Sequence, residues 1–205
     1  MAKSIEDPRN ARSQRTRAAL LAAVRGLLEE EGYEALTMAA VAERAGVSRR
    51  AIYLHFNSRS ELAAALFDYV GEQEGLADSL RRVWESPDAV AALDEWARHL
   101  ARYHPRILAV DRAVDRVRQV DSDAAQHRAW VNANQQRAAR TLAGWLYQEG
   151  RLAAPWTVDT ATDMLWALMG SDVTERLIVE QQWPPERFAE HLAVLFRATF
   201  VCEPD

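Results

Sequence analysis

Arg49 and Arg50 stand side by side, three and four residues after Gly46 and immediately after Ser48. A guanidinium is permanently charged, and its planar fork grips two acceptors at once, such as two phosphate oxygens or the O6 and N7 edge of guanine. Between residues 37 and 59 the chain places Arg44, Arg49, Arg50 and Arg59 against the single acid Glu43, a local balance of +3 in a chain whose formal net charge is -5. Concentrating positive charge in an acidic chain suits recognition of a polyanion. A solvated surface hairpin has the same spacing, so the pair of arginines alone leaves both readings open.

The elements that must hold these side chains are legible around them. Val41, Ala42 and Ala45 recur at helical intervals and end at Gly46, which accepts the positive φ of a sharp helix exit. Ser48 offers a hydroxyl to the free N–H groups of a new helix, in which Ile52, Tyr53 and Phe56 are read as an apolar face. Thr37 is placed to cap the preceding helix, and Ser58 with Glu61 has the spacing of a capping box. The expectation is two short helices joined by a tight turn, a helix-turn-helix whose second helix can enter a major groove. A longer helix ahead of them carries Leu20, Leu21, Val24, Leu27 and Leu28 on one face and is expected to supply their support. Met38, Ala39 and Ala40 offer only apolar contact, so base readout must lean on Arg49 and Arg50, which predicts guanines in each half-site.

Three signatures at these separations, Gly32-Tyr33-Glu34-Ala35-Leu36-Thr37, Ala42-Glu43-Arg44-Ala45-Gly46-Val47-Ser48 and Ile52-Tyr53-Leu54-His55-Phe56, resemble the N-terminal domain of the tetracycline-repressor (TetR) family of transcriptional regulators. The likeness runs from about Thr16 to Leu66. It implies an all-α fold: a three-helix DNA-binding domain over 16–60, continuous with a larger helical domain over 61–205 for ligand binding and dimerisation. Residues 1–15 read as a flexible basic arm, and the cations before the first helix, Lys3, Arg9, Arg12, Arg15 and Arg17, as either a solvated tail or a minor-groove contact. The DNA-binding set is Thr37, Ser48, Arg49, Arg50, Tyr53, His55 and Arg59. By resemblance Thr37 also touches phosphate, Tyr53 and His55 occupy positions that meet phosphate or bases, and Arg59 occupies a phosphate-contacting position. Tyr53 packing into the domain core is the competing reading.

Composition agrees with the class. The 205 residues can bury a substantial core, β-branched runs are absent, and Gly and Pro fall mostly between helical segments. Residues 1–60 balance to +3 and residues 61–205 to -8, so the two parts face different partners. No apolar leader segment or run of about 18 apolar residues is visible, and Cys202 is the single cysteine, which together predict a soluble cytoplasmic protein with no membrane partner. Asp123 with His127 and Glu95 with His99 are spaced as two-ligand pairs, but no H-E-x-x-H, Cys cluster, phosphate loop or nucleophile elbow accompanies them. No metal, cofactor or enzymatic activity is expected.

Beyond the reading domain, helices are expected over about 58–84, 87–104, 105–120, 121–149 and 157–182, with a last one after Pro184-Pro185. The helix over 157–182 carries Leu165 and Leu168 on one stripe with Trp166 and Val173 on another. The last helix pairs Phe188, Leu192 and Leu195 with Ala189, Phe196 and Phe200. Helices apolar on two faces are buried twice, which resembles the family's four-helix dimer interface, and the candidates are Leu165, Leu168, Phe188, Leu192, Leu195 and Phe196. A thick protomer core explains the same pattern. Seven tryptophans and the polar interruptions of apolar stripes nominate Trp96, His99, Trp130, Asn134, Gln135, Trp166 and Asp172 as lining a pocket for a small organic effector.

The combined expectation is a homodimeric regulator, a repressor, that binds a palindromic operator and releases it when an effector fills the helical core. An activator or a ligand-independent regulator would carry the same motif. A helical small-molecule binder without an operator, and an architectural protein that binds DNA without sequence choice, are the competitors from other classes.

Overall fold

The computed structural model describes residues 8–203; the side chains of residues 8–10, 59, 60, 63 and 64 lie outside it. Helices dominate, and among the described residues the sole β-type pairing is an isolated bridge between Leu152 and Val201. Among the described residues no helix is long and apolar enough to cross a membrane. The chain divides into two compact units, residues 1–73 with 112–125, and residues 74–111 with 126–205.

In the first unit, α1 (Pro8–Glu30) packs against α2 (Met38–Arg44) and α4 (Arg59–Gln73), while α2 packs against α3 (Arg49–Tyr53). The expected stripe of Leu20, Leu21, Val24, Leu27 and Leu28 is buried and meets Val41, Ala42, Ile52, Phe56, Leu62 and Leu66 in one core. Residues 8–15 are helical, so the segment expected as a flexible arm extends α1 by two turns; Lys3 falls outside the described residues. The sequence reading ended this domain at residue 60, whereas α4 belongs to it through Gln73 because Leu62, Leu66 and Val70 are turned into its core.

The second unit holds α5 (Leu76–Trp84), most of α6 (Ala89–Val117), most of α7 (Ser122–Gln148), α8 (Val158–Leu168), a short α9 (Ser171–Thr174) that runs into a π-helical turn (Glu175–Glu180), and α10 (Pro185–Phe200). Its core gathers Leu93, Trp96, Leu100, Leu142, Leu146, Leu165, Phe188, Phe196 and Phe200. Three expected boundaries shift. The helix expected over 58–84 is broken at Gly75, whose φ of 70° lies in the left-handed region. The segments 87–104 and 105–120 form one helix that continues through Pro105. A proline inside a helix costs about 3 kcal/mol, and burial of Leu100, Ala101, His104 and Leu108 on both sides of it offsets that cost. The helix expected over 157–182 stops at Leu168, and Gly170, in extended conformation, starts a separate turn.

Candidate functional site

The reading element is built by capping. The Thr37 hydroxyl accepts the Ala40 N–H at 3.1 Å and the Ser48 hydroxyl accepts the Ala51 N–H at 3.2 Å, each bond stabilising its helix start by about 1 kcal/mol. Between them Gly46 turns the chain at φ 67°, and the Val47 N–H donates to the Ala42 carbonyl at 2.9 Å. Ile52 and Phe56 are buried and clamp α3 onto the domain. At the next helix, the Ser58 hydroxyl accepts the Glu61 N–H, while the Glu61 carboxylate reaches back to the Asn57 backbone N–H at 2.8 Å rather than to Ser58. Those bonds to Asn57 hold the Glu61 carboxyl below its ordinary range.

With α3 anchored in this way, Arg49 and Arg50 are exposed at its first turn, and His55 is half-buried near its end. Tyr53 is 55% exposed, so it is not part of the apolar face with Ile52 and Phe56: one helical position of rotation takes it off the buried side. Leu54, which sequence reasoning passed over, is 77% exposed beside it. Thr37 and Ser48 are exposed, so their hydroxyls retain a proton to donate outward. The Arg59 side chain lies outside the described residues. Arg44, counted in the local balance of +3, pairs instead with Glu30 and with Glu31 at 3.5 Å, so its charge is compensated within the domain. Arg17 does join the element: its guanidinium lies over the Phe56 ring, 4.5 Å from the centroid.

The interior candidates of the second unit separate. Trp96 and His99 are buried and adjacent, with ring centroids 5.1 Å apart, in a column that continues to Trp84 on one side and to Tyr103 on the other. The indole N–H of Trp96 is buried with no hydrogen-bond partner among the described residues. His99 Nδ1 meets the Ser79 hydroxyl at 2.9 Å, and Arg102 ties Ser79 to Glu95. Burial lowers His99 to about 3, assisted by the neighbouring His104 and Arg102, and raises Tyr103 to about 12. Trp130 is 56% exposed beside His127, Asn134 bonds Arg137 on the outer surface of α7, and Asp172 is exposed in the first turn of α9. Gln135 and Trp166 are half-buried, and Trp166 packs on the core. Only Trp96 and His99 of the seven are therefore brought into one buried cluster, because a polar gap in a helical stripe does not say which neighbour covers it.

A second polar cluster escaped sequence reasoning. Arg128 reaches the Asp111 carboxylate at 2.6 Å, the Ser171 hydroxyl donates to the other carboxylate oxygen, and His104 Nδ1 meets the Thr174 hydroxyl at 3.3 Å. Its members come from three helices, with partners separated by up to 70 residues, so no local spacing announces them.

Four of the six dimer candidates, Leu165, Phe188, Leu192 and Phe196, are buried inside the protomer. Apart from Leu195, the residues named on the two stripes of α10 are buried within the protomer. Leu168 is half-buried, and Leu195 is 45% exposed next to Val194 at 57%. A groove of about 540 Å³ runs along this side of α10, between Ala189, Ala193 and Val194 and the α6 residues Arg98, Ala101 and Arg102. Among the described residues no group of three or more His, Cys, Asp or Glu side chains is arranged for a metal.

Known proteins share both parts of this architecture. Residues 20–66 match the family of bacterial regulatory proteins of the tetR type. The HTH-type transcriptional regulator TtgR of Pseudomonas putida is 42% identical over 81 residues, 40% of this chain and 37% of that protein, and CymR of Pseudomonas putida is 42% identical over 62 residues, 30% of each chain. The sequence matches thus span about a third of those relatives. Over nearly the whole chain the fold resembles NalD, the secondary repressor of the MexAB-OprM multidrug efflux pump of Pseudomonas aeruginosa, with a TM-score of 0.72 at 22% identity over 94% of this chain and 99% of that one. SmeT, solved as a triclosan complex, superposes with a TM-score of 0.75 at 17% identity over 93% of each chain. Residues 20–66 therefore form a tetR-family N-terminal domain, and the chain as a whole shares the helical fold of these solved proteins.

Proposed function

We propose that the protein is a ligand-responsive transcriptional regulator, a repressor, that binds a palindromic DNA operator as a homodimer and leaves it when a small organic molecule occupies the helical domain. The observation that carries this reading is the exposed pair Arg49 and Arg50 at the first turn of a helix locked in place by Ser48, Ile52 and Phe56. Positioned there, each guanidinium can form a bidentate pair with guanine, worth about 1–3 kcal/mol of discrimination. Thr37, Ser48, Tyr53 and His55 surround the pair as phosphate or base contacts, with Arg59 at the following helix start. One such helix reads only a few base pairs, so two copies on successive major grooves are needed for useful affinity. Val194 and Leu195 on the outer face of α10 supply apolar surface for the second copy.

The effector's site is the column of Trp84, Trp96, His99 and Tyr103. A flat molecule bearing a hydrogen-bond acceptor would stack there and satisfy the buried Trp96 N–H, whose unmade bond costs about 1–3 kcal/mol. Release then follows by linkage: the effector must prefer an arrangement that DNA does not, and DNA must weaken the effector by the same factor. SmeT, a structural neighbour, is itself solved as a complex with a small organic molecule, triclosan.

The test is selection of duplexes from a random pool by the purified protein, followed by affinity for the selected and a scrambled duplex at fixed salt. Tight, selective binding that Arg49→Ala/Arg50→Ala abolishes is expected. Equal, weak binding to both duplexes overturns the reading.

A further inference from the structure

The arginines of α1 to α3 fall into two sets. Arg25 pairs with Glu29 at 2.7 Å, and Arg44 pairs with Glu30 and Glu31, so the acidic end of α1 neutralises the cations near it. Arg12, Arg15, Arg49 and Arg50 are exposed and have no ion pair among the described residues. From Pro8 to Leu28 the sequence contains no acid at all. The division is therefore directional along α1: one end is salt-bridged and quiet, and the other is an uncompensated cationic surface.

Arg17 fixes where that surface lies. Its guanidinium rests on Phe56, three residues beyond the end of α3, so this part of α1 stands beside the exit of the recognition helix. With a rise of 1.5 Å per residue, Arg15 and Arg12 sit about 3 and 7.5 Å further along the axis. Because residues 8–15 are helical, these side chains are held at a fixed separation from α3 instead of trailing on a loose tail. A rod about 10–12 Å wide cannot enter a minor groove about 6 Å across. A phosphate-tracking contact is what the geometry permits.

We propose that the N-terminal extension of α1, through Arg12 and Arg15, is a second DNA-contacting surface that engages backbone phosphates flanking the bases read by α3, whereas Arg44 takes no part. This rests on the DNA-binding reading above. Phosphate contacts add affinity without sequence choice and make binding steeper in salt by about 0.9 in the log–log slope for each phosphate neutralised.

The experiment measures Kd between 50 and 300 mM KCl on a 40-base-pair duplex selected by the wild-type protein and on a scrambled duplex. It compares wild type with Arg12→Gln/Arg15→Gln and Arg44→Gln, each checked for helicity by circular dichroism. The expected result is a slope reduced by about two units for the double variant. Affinity should fall by the same factor on both duplexes with no change in preferred bases, and Arg44→Gln should keep the wild-type slope. An unchanged slope in the double variant overturns the proposal, as does an altered base preference or an equal loss in Arg44→Gln. If the wild-type protein selects no duplex, the DNA-binding reading itself fails, a result distinct from selective binding with an unchanged slope.

Discussion

Arg128→Met isolates a charge that the fold buries deliberately. Arg128 and Asp111 have side chains 11% and 9% exposed and meet at 2.6 Å, with the Ser171 hydroxyl donating to the same carboxylate. Methionine keeps much of the apolar stem and removes the cation, so Asp111 is left buried with one hydrogen bond and no counter-charge. Breaking a buried pair from one side costs about 3–5 kcal/mol. For a chain of this size each kcal/mol lowers Tm by about 2–4 °C, so the midpoint should fall by about 6–20 °C. In Asp111→Asn/Arg128→Met the uncompensated charge is gone while Ser171 keeps an acceptor, and most of the loss should be recovered. Thermal unfolding followed by far-ultraviolet circular dichroism at pH 7 reads both variants, at one protein concentration because the proposed dimerisation would make the midpoint depend on it. A single variant that loses less than about 1 kcal/mol, or a double variant no better than the single, refutes the argument that desolvated charge governs this site.

Two further perturbations follow from geometry. Gly46→Ala should lose about 1–2 kcal/mol in urea unfolding, because φ is 67° and no atom lies within 4 Å of the new Cβ, leaving backbone strain as the whole effect. Gly46→Asn should lose clearly less, and equal losses would argue against strain as the cause. Burial lowers His104 to about 4, so between pH 6.5 and 4 the unfolded chain binds more protons than the folded one. Stability should be level above about pH 6.5, decline as pH falls toward 4 and flatten below, with a shallower decline in His104→Gln; equal slopes would sink that assignment.

The reading element was legible because its determinants are local. Thr37 and Ser48 each bond a backbone N–H three residues ahead, and Gly46 turns the chain by its own φ. None of these needs a remote partner. The charge around it was less legible: Arg44 looks like a DNA contact in sequence and is claimed by Glu30 and Glu31, fourteen and thirteen residues away at the end of α1. Similarly, the arginines before Thr16 looked like a tail until α1 was seen to begin at Pro8.

In the second unit the apolar stripes of α10 announced burial on two faces, but periodicity cannot distinguish the chain's own helices from those of another copy. The structure assigns Phe188, Leu192 and Phe196 to the protomer and leaves Val194 and Leu195 outside. Trp130 and Asp172 point outward for the same reason, since the cover over a helix face comes from elements far along the chain.

Sequence alone determined the helical class, the helix-turn-helix and its arginines, because capping, turn conformation and amphipathic periodicity act within about four residues. Tertiary structure alone decided which charges are compensated, which aromatics meet and which apolar faces remain exposed. Those depend on contacts such as Asp111 with Ser171, 60 residues apart, whose free energy exists only once the packed interior has excluded water.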